Sequence, residues 1–172
     1  MDNSSSPQPI NVYPKVINHI AVSVTDLDKA VKWYQEVLGF TVINGPVEFE
    51  ADDSSLGMAA KDIHGPKFKK MRMVWLSSGN QVGIEIFEYI DPKGERRTNN
   101  FEYWKSGFFH ICVTDPNIEE LCKKISDSGG RQRSKIWNIV PNKGYKIAFC
   151  EDPFGNVIEI YTHGYEQTIT SL

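Results

Sequence analysis

A strand that opens on a histidine and runs into a capped helix occurs twice in this chain. The first copy is Asn18-His19-Ile20-Ala21-Val22-Ser23-Val24-Thr25-Asp26, the second Phe109-His110-Ile111-Cys112-Val113-Thr114-Asp115. Each is followed downstream by a strand in which isoleucines alternate with a carboxylate, Ile84-Glu85-Ile86-Phe87 and Ile158-Glu159-Ile160-Tyr161. An internal repeat of this length constrains the fold more than any single motif, because each unit must bury its apolar side against its neighbour. The interval from His19 to Glu85 exceeds that from His110 to Glu159. The excess falls in residues 44–70, which have no counterpart in the second half and read as an insertion able to cover a pocket.

Local patterning supports the repeat. Ile17 to Val24 alternates with period two, which predicts a strand buried in part on both faces. Thr25-Asp26-Leu27-Asp28 supplies side chains to start a helix, Ala30, Tyr34, Val37 and Leu38 continue it, and Gly39 stops it. Phe40 to Ile43 resumes as a short strand. Asp52-Asp53-Ser54-Ser55 is placed to cap a short helix through Ile63, ended by Gly65-Pro66, and His64 beside it reads as a surface or loop histidine. Met71–Leu76 and Val82–Tyr89 are expected as strands joined by Ser77-Ser78-Gly79-Asn80. In the second half, a strand over Phe108–Val113 leads to Asp115-Pro116 as a helix start. Ile118, Leu121, Cys122 and Ile125 then mark an amphipathic helix closed by Gly129-Gly130. Lys146–Cys150 and Val157–Thr162 are two further strands around the turn Asp152-Pro153-Phe154-Gly155-Asn156.

The expected organisation is an N-terminal disordered arm over 1–14, a first module over 15–90, a polar linker over 91–106, a second module over 107–163 and a tail over 164–172. Several function classes are disfavoured. A net charge of −3 over 172 residues argues against a dedicated nucleic-acid binder, which needs a basic surface to neutralise phosphates. The clusters Lys67, Lys69, Lys70, Arg72 and Arg131, Arg133, Lys135 read as solvated faces, with capture of an anionic substrate as the less favoured reading. No window approaches the roughly 20 apolar residues of a membrane span. Residues 1–14 are rich in Ser, Pro and Asn and lack the basic start and apolar run of a signal peptide. Three cysteines without CxxC spacing favour neither a disulfide framework nor a zinc knuckle and suit a reducing, cytoplasmic setting. Cys112, two residues from His110, reads as a small buried side chain rather than a nucleophile.

If the isoleucines of the two late strands face the helices, the opposite faces carry His19, Glu85, His110 and Glu159. Two imidazoles and two carboxylates form a nitrogen/oxygen donor set suited to one divalent transition ion (Zn, Ni, Co, Fe or Mn) rather than Ca, which prefers all-oxygen sites. The plainer alternative is four separately hydrogen-bonded polar residues.

These motifs, with Lys32-Trp33-Tyr34, Val37-Leu38-Gly39-Phe40 and Asp152-Pro153-Phe154-Gly155-Asn156-Val157, resemble the vicinal oxygen chelate superfamily of glyoxalases, bleomycin-resistance proteins and extradiol dioxygenases. The resemblance runs from about Val16 to Thr162. It implies an α+β fold of two βαβββ modules whose paired curved mixed sheets enclose a metal site. His19 and Glu85 would come from the first module and His110 and Glu159 from the second, within one chain or across a homodimer. The two-His, two-Glu set is similar to that of glyoxalase I and methylmalonyl-CoA epimerase. The resemblance therefore implies a lyase or isomerase that abstracts a proton next to a metal-bound carbonyl and stabilises an enediolate. Glu159 would be the base, with Glu85 as the second catalytic carboxylate. Phe87, Tyr89, Cys112 and Tyr161, with Trp75, would wall the pocket for a small-molecule substrate, and Tyr103-Trp104-Lys105 would fold over its mouth. An Fe(II) dioxygenase and a non-catalytic resistance-type binder are the alternatives. The full ligand set speaks against a pure binder, and Glu85 against a two-His, one-Glu dioxygenase. Glutathione-dependent members usually carry Arg four residues after the first histidine and Asn four after the first glutamate; here Ser23 and Tyr89 stand there.

Overall fold

The computed structural model describes residues 13–99 and 101–172; most of the arm expected over 1–14 therefore lies outside the described residues. The first module is built from β1 (His19–Val24), α1 (Leu27–Leu38), β2 (Thr41–Glu50), α2 (Ser55–His64), β3 (Lys70–Ser77) and β4 (Gly83–Asp91). The second contains β5 (Ile111–Thr114), α3 (Ile118–Asp127), β6 (Arg131–Gln132), β7 (Trp137–Val140), β8 (Tyr145–Glu151) and β9 (Val157–Tyr161), followed by the short helix α4 (Tyr165–Ile169). Two mixed sheets result, ordered β1-β4-β3-β2 and β5-β9-β8-β6, with β7 paired to β8. They are curved but not closed. β1 runs parallel to β4 and β5 parallel to β9, while the remaining pairs are antiparallel. β1 and β5 thus end their sheets, each beside its glutamate strand.

Local chemistry explains the helices. The Asp26 side chain accepts from the Lys29 amide at 3.0 Å, and Gly39, at φ 72°, takes the left-handed conformation that closes α1. The Ser54 hydroxyl caps α2 through the Gly57 amide. α3 begins later than Asp115-Pro116 suggests. Asp115 instead accepts from the Asn117 amide at 2.7 Å, a local turn that delays the helix to Ile118. β2 also exceeds the expected Phe40–Ile43 strand. It continues to Glu50 by absorbing Gly45-Pro46, where register shifts mark irregular pairing with β3.

The buried face of α1, Leu27, Ala30, Trp33, Tyr34 and Val37, and that of α3, Ile118, Leu121, Cys122 and Ile125, join one core. Ile84, Ile86, Ile158 and Ile160 complete it, each at most 4% exposed. The isoleucines therefore face the helices, and the alternating carboxylates point to the opposite faces. A second cluster, Ala60, Phe68, Met71 and Met73 with Phe87 and Tyr89 packed against it, seats α2 on the opposite face of the first sheet. No helix of the described residues is long and apolar enough to cross a membrane.

Candidate metal and active site

In the first sheet, β1–β4 pairing sets His19 against Gly83 and Ala21 against Glu85. A β-carbon on Gly83 would lie 3.2 Å from that of His19, so glycine at this register gives the imidazole room. The His19 Nδ1 is 2.9 Å from Asn18 Oδ1. The Nε2 stands 3.6 Å from Glu85 Oε2. The other carboxylate oxygen, Oε1, accepts from Trp75 Nε1 at 3.0 Å. Both donors are thus oriented from behind, the arrangement that fixes metal ligands in their useful tautomer and rotamer.

The second sheet repeats the pair. His110, one residue before β5, places Nε2 3.1 Å from Glu159 Oε2. Its Nδ1 is buried with no hydrogen-bond partner among the described residues. The ring is held between the edges of Phe109 and Phe149, at centroid distances of 5.0 and 5.4 Å. Burial raises the Glu159 carboxyl above its ordinary range, opposed by the neighbouring His110 and by a hydrogen bond from Cys112. Cys112 is directly opposite Glu159 in the strand register. Its thiol is pushed up to about 12, first by loss of hydration and then by the Glu159 charge. Tyr161 follows on the same face, its phenol raised by burial and then by Glu159.

Each pair presents one imidazole nitrogen and one carboxylate oxygen about as far apart as two neighbouring ligands. An ion held at about 2.0–2.2 Å from such donors keeps them roughly 3 Å apart. The donor chemistry and the spacing within each pair therefore fit a divalent ion. Within one chain, however, no three His, Cys, Asp or Glu side chains among the described residues gather closely enough to hold a metal. The structure brings His19 to Glu85 and His110 to Glu159, and does not bring the two pairs together. Two cavities, of about 380 and 520 Å³, flank the seam between β1 and β5. Tyr89 lines the first and Cys112 the second, and neither is lined by the four donors.

Of the other pocket candidates, Phe87 and Tyr89 stack at 6.2 Å beside Glu85 on the first sheet. His64, expected as a surface or loop histidine, is instead part of an aromatic cluster. It is half-buried at the end of α2, in ring contact with Phe68, Phe87 and Tyr89, and its Nδ1 is 3.4 Å from the Tyr89 hydroxyl. Phe101 was missed: it packs on Phe109 and Phe149, whereas Tyr103 and Trp104 remain exposed instead of covering a pocket. Only its aromatic character inside a polar linker signalled this. In the basic cluster 67–72, Lys69 pairs with Asp91, Lys70 with Glu48 and Glu50, and Arg72 with Asp28 and Glu88.

Two histidine–glutamate pairs on twin curved sheets define a class, and residues 16–160 match the Glyoxalase/Bleomycin resistance protein/Dioxygenase superfamily. The chain belongs to that superfamily. A lactoylglutathione lyase of Schizosaccharomyces pombe is 34% identical over 152 residues, 84% of this chain and 46% of that protein, so this chain spans about half its length. A 2-epi-5-epi-valiolone epimerase of an Actinomyces species is 23% identical over 147 residues, 84% of this chain and 77% of that protein. Among solved structures, a glyoxalase family protein from Bacillus cereus superposes with a TM-score of 0.68 at 16% identity, covering 90% of this chain and 97% of that one.

Proposed function

We propose that this chain is a divalent-metal-dependent, glyoxalase-like lyase or isomerase that removes a proton next to a carbonyl. We further propose that it acts as a homodimer, with His19 and Glu85 of one copy completing a four-donor site with His110 and Glu159 of another. The observation that carries this reading is the division of the donors into two equivalent half-sites, each on the terminal strand pair of its sheet. Two donors are too few to hold a transition ion, which takes at least three protein ligands in catalytic sites. Two partly buried carboxylates facing imidazoles also gain from a shared cation. Setting the donor face of the first sheet of one copy against the donor face of the second sheet of another supplies both needs, and twofold symmetry makes two such sites per dimer.

When bound, a divalent ion polarises a chelated carbonyl and lowers the cost of the negative charge that develops beside it. The chain's own residues then divide the work. Glu159 takes the proton, and burial, by raising its carboxyl, brings it closer to the range useful in a base at neutral pH. Trp75 and Asn18 hold Glu85 and His19 in place. Phe87, Tyr89 and Tyr161 form an apolar wall that excludes water and favours a small substrate with a planar or apolar part. Ser23 and Tyr89 supply neither the charge nor the amide expected of a glutathione grip, so the substrate need not be a glutathione adduct.

Complementation between two inactive variants tests the reading. His19→Ala and His110→Ala homodimers each lack a ligand at both sites, whereas a mixed dimer regains one intact site. Random mixing should therefore restore about a quarter of the wild-type metal content and of the solvent-deuterium exchange at carbon next to a carbonyl, scored over a panel of α-hydroxy and α-dicarbonyl compounds. Wild-type protein without a transition ion, or mixtures that recover nothing, would sink the proposal. Oxygen uptake with catechols would favour the dioxygenase alternative. Ligand binding untouched by Glu85→Gln and Glu159→Gln would favour a metal-independent binder.

A further inference from the structure

Away from the donor pairs, a cavity of about 390 Å³ is lined by Arg96, Arg97 and Asn99 of the linker and by Arg131, Arg133 and Glu151 of the second module. Four arginines and one glutamate thus line this space. Glu151, 4% exposed, accepts from Arg131 Nε at 3.2 Å and Nη2 at 2.8 Å, and also from Arg133 Nη1. Arg133 is fixed a second time, its guanidinium carbon lying 4.0 Å over the centre of the Phe101 ring. Arg96 and Arg97 are exposed at the rim and have no hydrogen-bond or ion-pair partner among the described residues.

The basic cluster on β3 is matched by carboxylates, whereas here two arginines share one buried glutamate and two more have no partner. Like charges converging on one cavity repel, and the arrangement is relieved when an anion enters. Planar guanidinium forks suit the oxygens of phosphate, and two of them are already pre-organised by Glu151 and Phe101. The volume exceeds a single phosphate and lies within the range of small-molecule sites.

We propose that Arg96, Arg97, Arg131 and Arg133 form a binding site for the phosphate group of a phosphorylated small molecule. The site adjoins the second half-site through one aromatic layer: Phe101 contacts Phe109 and Phe149, and both contact His110. Resting on the functional reading above, the phosphate site anchors the far end of an extended substrate whose reacting carbonyl lies at His110 and Glu159. The binding site itself stands without that reading.

The test is calorimetric titration of the full-length protein with inorganic pyrophosphate at low ionic strength. Saturable binding is expected in the wild type. Arg96→Ala/Arg97→Ala should weaken it about tenfold or more through lost charge-assisted hydrogen bonds. Lys67→Ala/Lys69→Ala, which removes the same charge from residues that do not line the cavity, should weaken it by a clearly smaller factor, since it costs no direct hydrogen bond to the anion. His110→Ala should also leave it unchanged, which separates this site from the metal centre. Absent saturable binding, equal loss in the two double variants, or loss in His110→Ala would each overturn the proposal. The last result would put the anion on a bound ion. If pyrophosphate binds as expected and no transition ion is found, the anion site stands and the enzymatic reading falls.

Discussion

The Tyr34 hydroxyl on α1 donates to Asp152 Oδ2 at 2.9 Å, joining the first module to the β8–β9 turn of the second across a fully buried contact. Asp152 also accepts from the Phe154 and Asn156 amides and from Asn156 Nδ2. The aspartate of the Asp-Pro-Phe-Gly-Asn turn thus organises its own loop and holds the other module's helix. Tyr34→Phe should lower unfolding stability by about 1.5–3 kcal/mol, the usual contribution of a hydrogen bond to a charged group. Burial raises the Asp152 carboxyl above its ordinary value, so folding favours the protonated form. The associated stability is present at low pH and fades as pH rises through the raised value. Because Tyr34 supports the charged form, the penalty should be largest near neutral pH and shrink on acidification. Denaturant midpoints at both pH values check this, and a penalty that grew in acid would contradict it.

Gly130 closes the turn between α3 and β6. A β-carbon there would meet the Glu151 carbonyl oxygen at 2.5 Å, Ile125 Cγ2 at 2.7 Å and the Ile125 carbonyl oxygen at 2.9 Å. Two of the three obstacles are backbone and cannot swing aside. Gly130→Ala should destabilise by about 1–3 kcal/mol, the range for forced overpacking. Gly164→Ala, with nothing within 4 Å of the added carbon, should stay within about 0.5 kcal/mol of wild type. Equal melting temperatures for the two variants would refute the steric argument.

The alternation of Ile84, Ile86, Ile158 and Ile160 with carboxylates carried most of the fold, because side-chain direction in a strand follows from period two alone. It also put Glu85 and Glu159 on the faces opposite the core. The same rule could not reveal β2 beyond Ile43, since Gly45 and Pro46 read as breakers and only pairing with β3 offsets them. β6, Arg131–Gln132, and β7, Trp137–Val140, are too short to carry a readable pattern. The contacts of His64 with Phe87 and Tyr89, and of Phe101 with Phe149, cross between elements distant in sequence, which no local pattern encodes. Which donors meet was legible only as far as neighbouring strands decide it: His19 with Glu85, and His110 with Glu159. Whether the two pairs meet depends on how sheet edges are brought together, which no strand pattern encodes.

Cys112 sits at an exposed position of β5, yet its thiol is raised to about 12. At pH 8 it holds on the order of a thousandfold less thiolate than a free cysteine, partly offset by the greater nucleophilicity of a more basic thiolate. Its reaction with an aromatic disulfide should therefore be on the order of fiftyfold slower than that of an unperturbed thiol. Glu159→Gln removes the charge that disfavours the thiolate and should speed the reaction. Mass-resolved labelling, with Cys112→Ser to assign the signal, measures both rates. A wild-type rate matching a free thiol would exclude the proposed electrostatic coupling between Cys112 and Glu159.

Trp75 offers a way to weaken the first half-site without touching a donor. Its indole N–H holds Glu85 Oε1 at 3.0 Å, while its ring makes an edge contact with Phe49 at 6.2 Å. Phenylalanine retains aromatic packing and removes only the hydrogen-bond donor. Glu85 then rotates more freely, and the Oε2 that faces His19 loses its fixed direction. Such supporting bonds are worth about 10–100-fold in metal affinity, so Trp75→Phe should lose transition-ion binding by that factor with its melting temperature nearly unchanged. Competition against a chromophoric chelator gives the affinity. A combined Trp75→Phe/Glu85→Gln variant should bind no worse than Glu85→Gln alone, because the indole acts only through that carboxylate. Additive losses would show that Trp75 supports the site by another route.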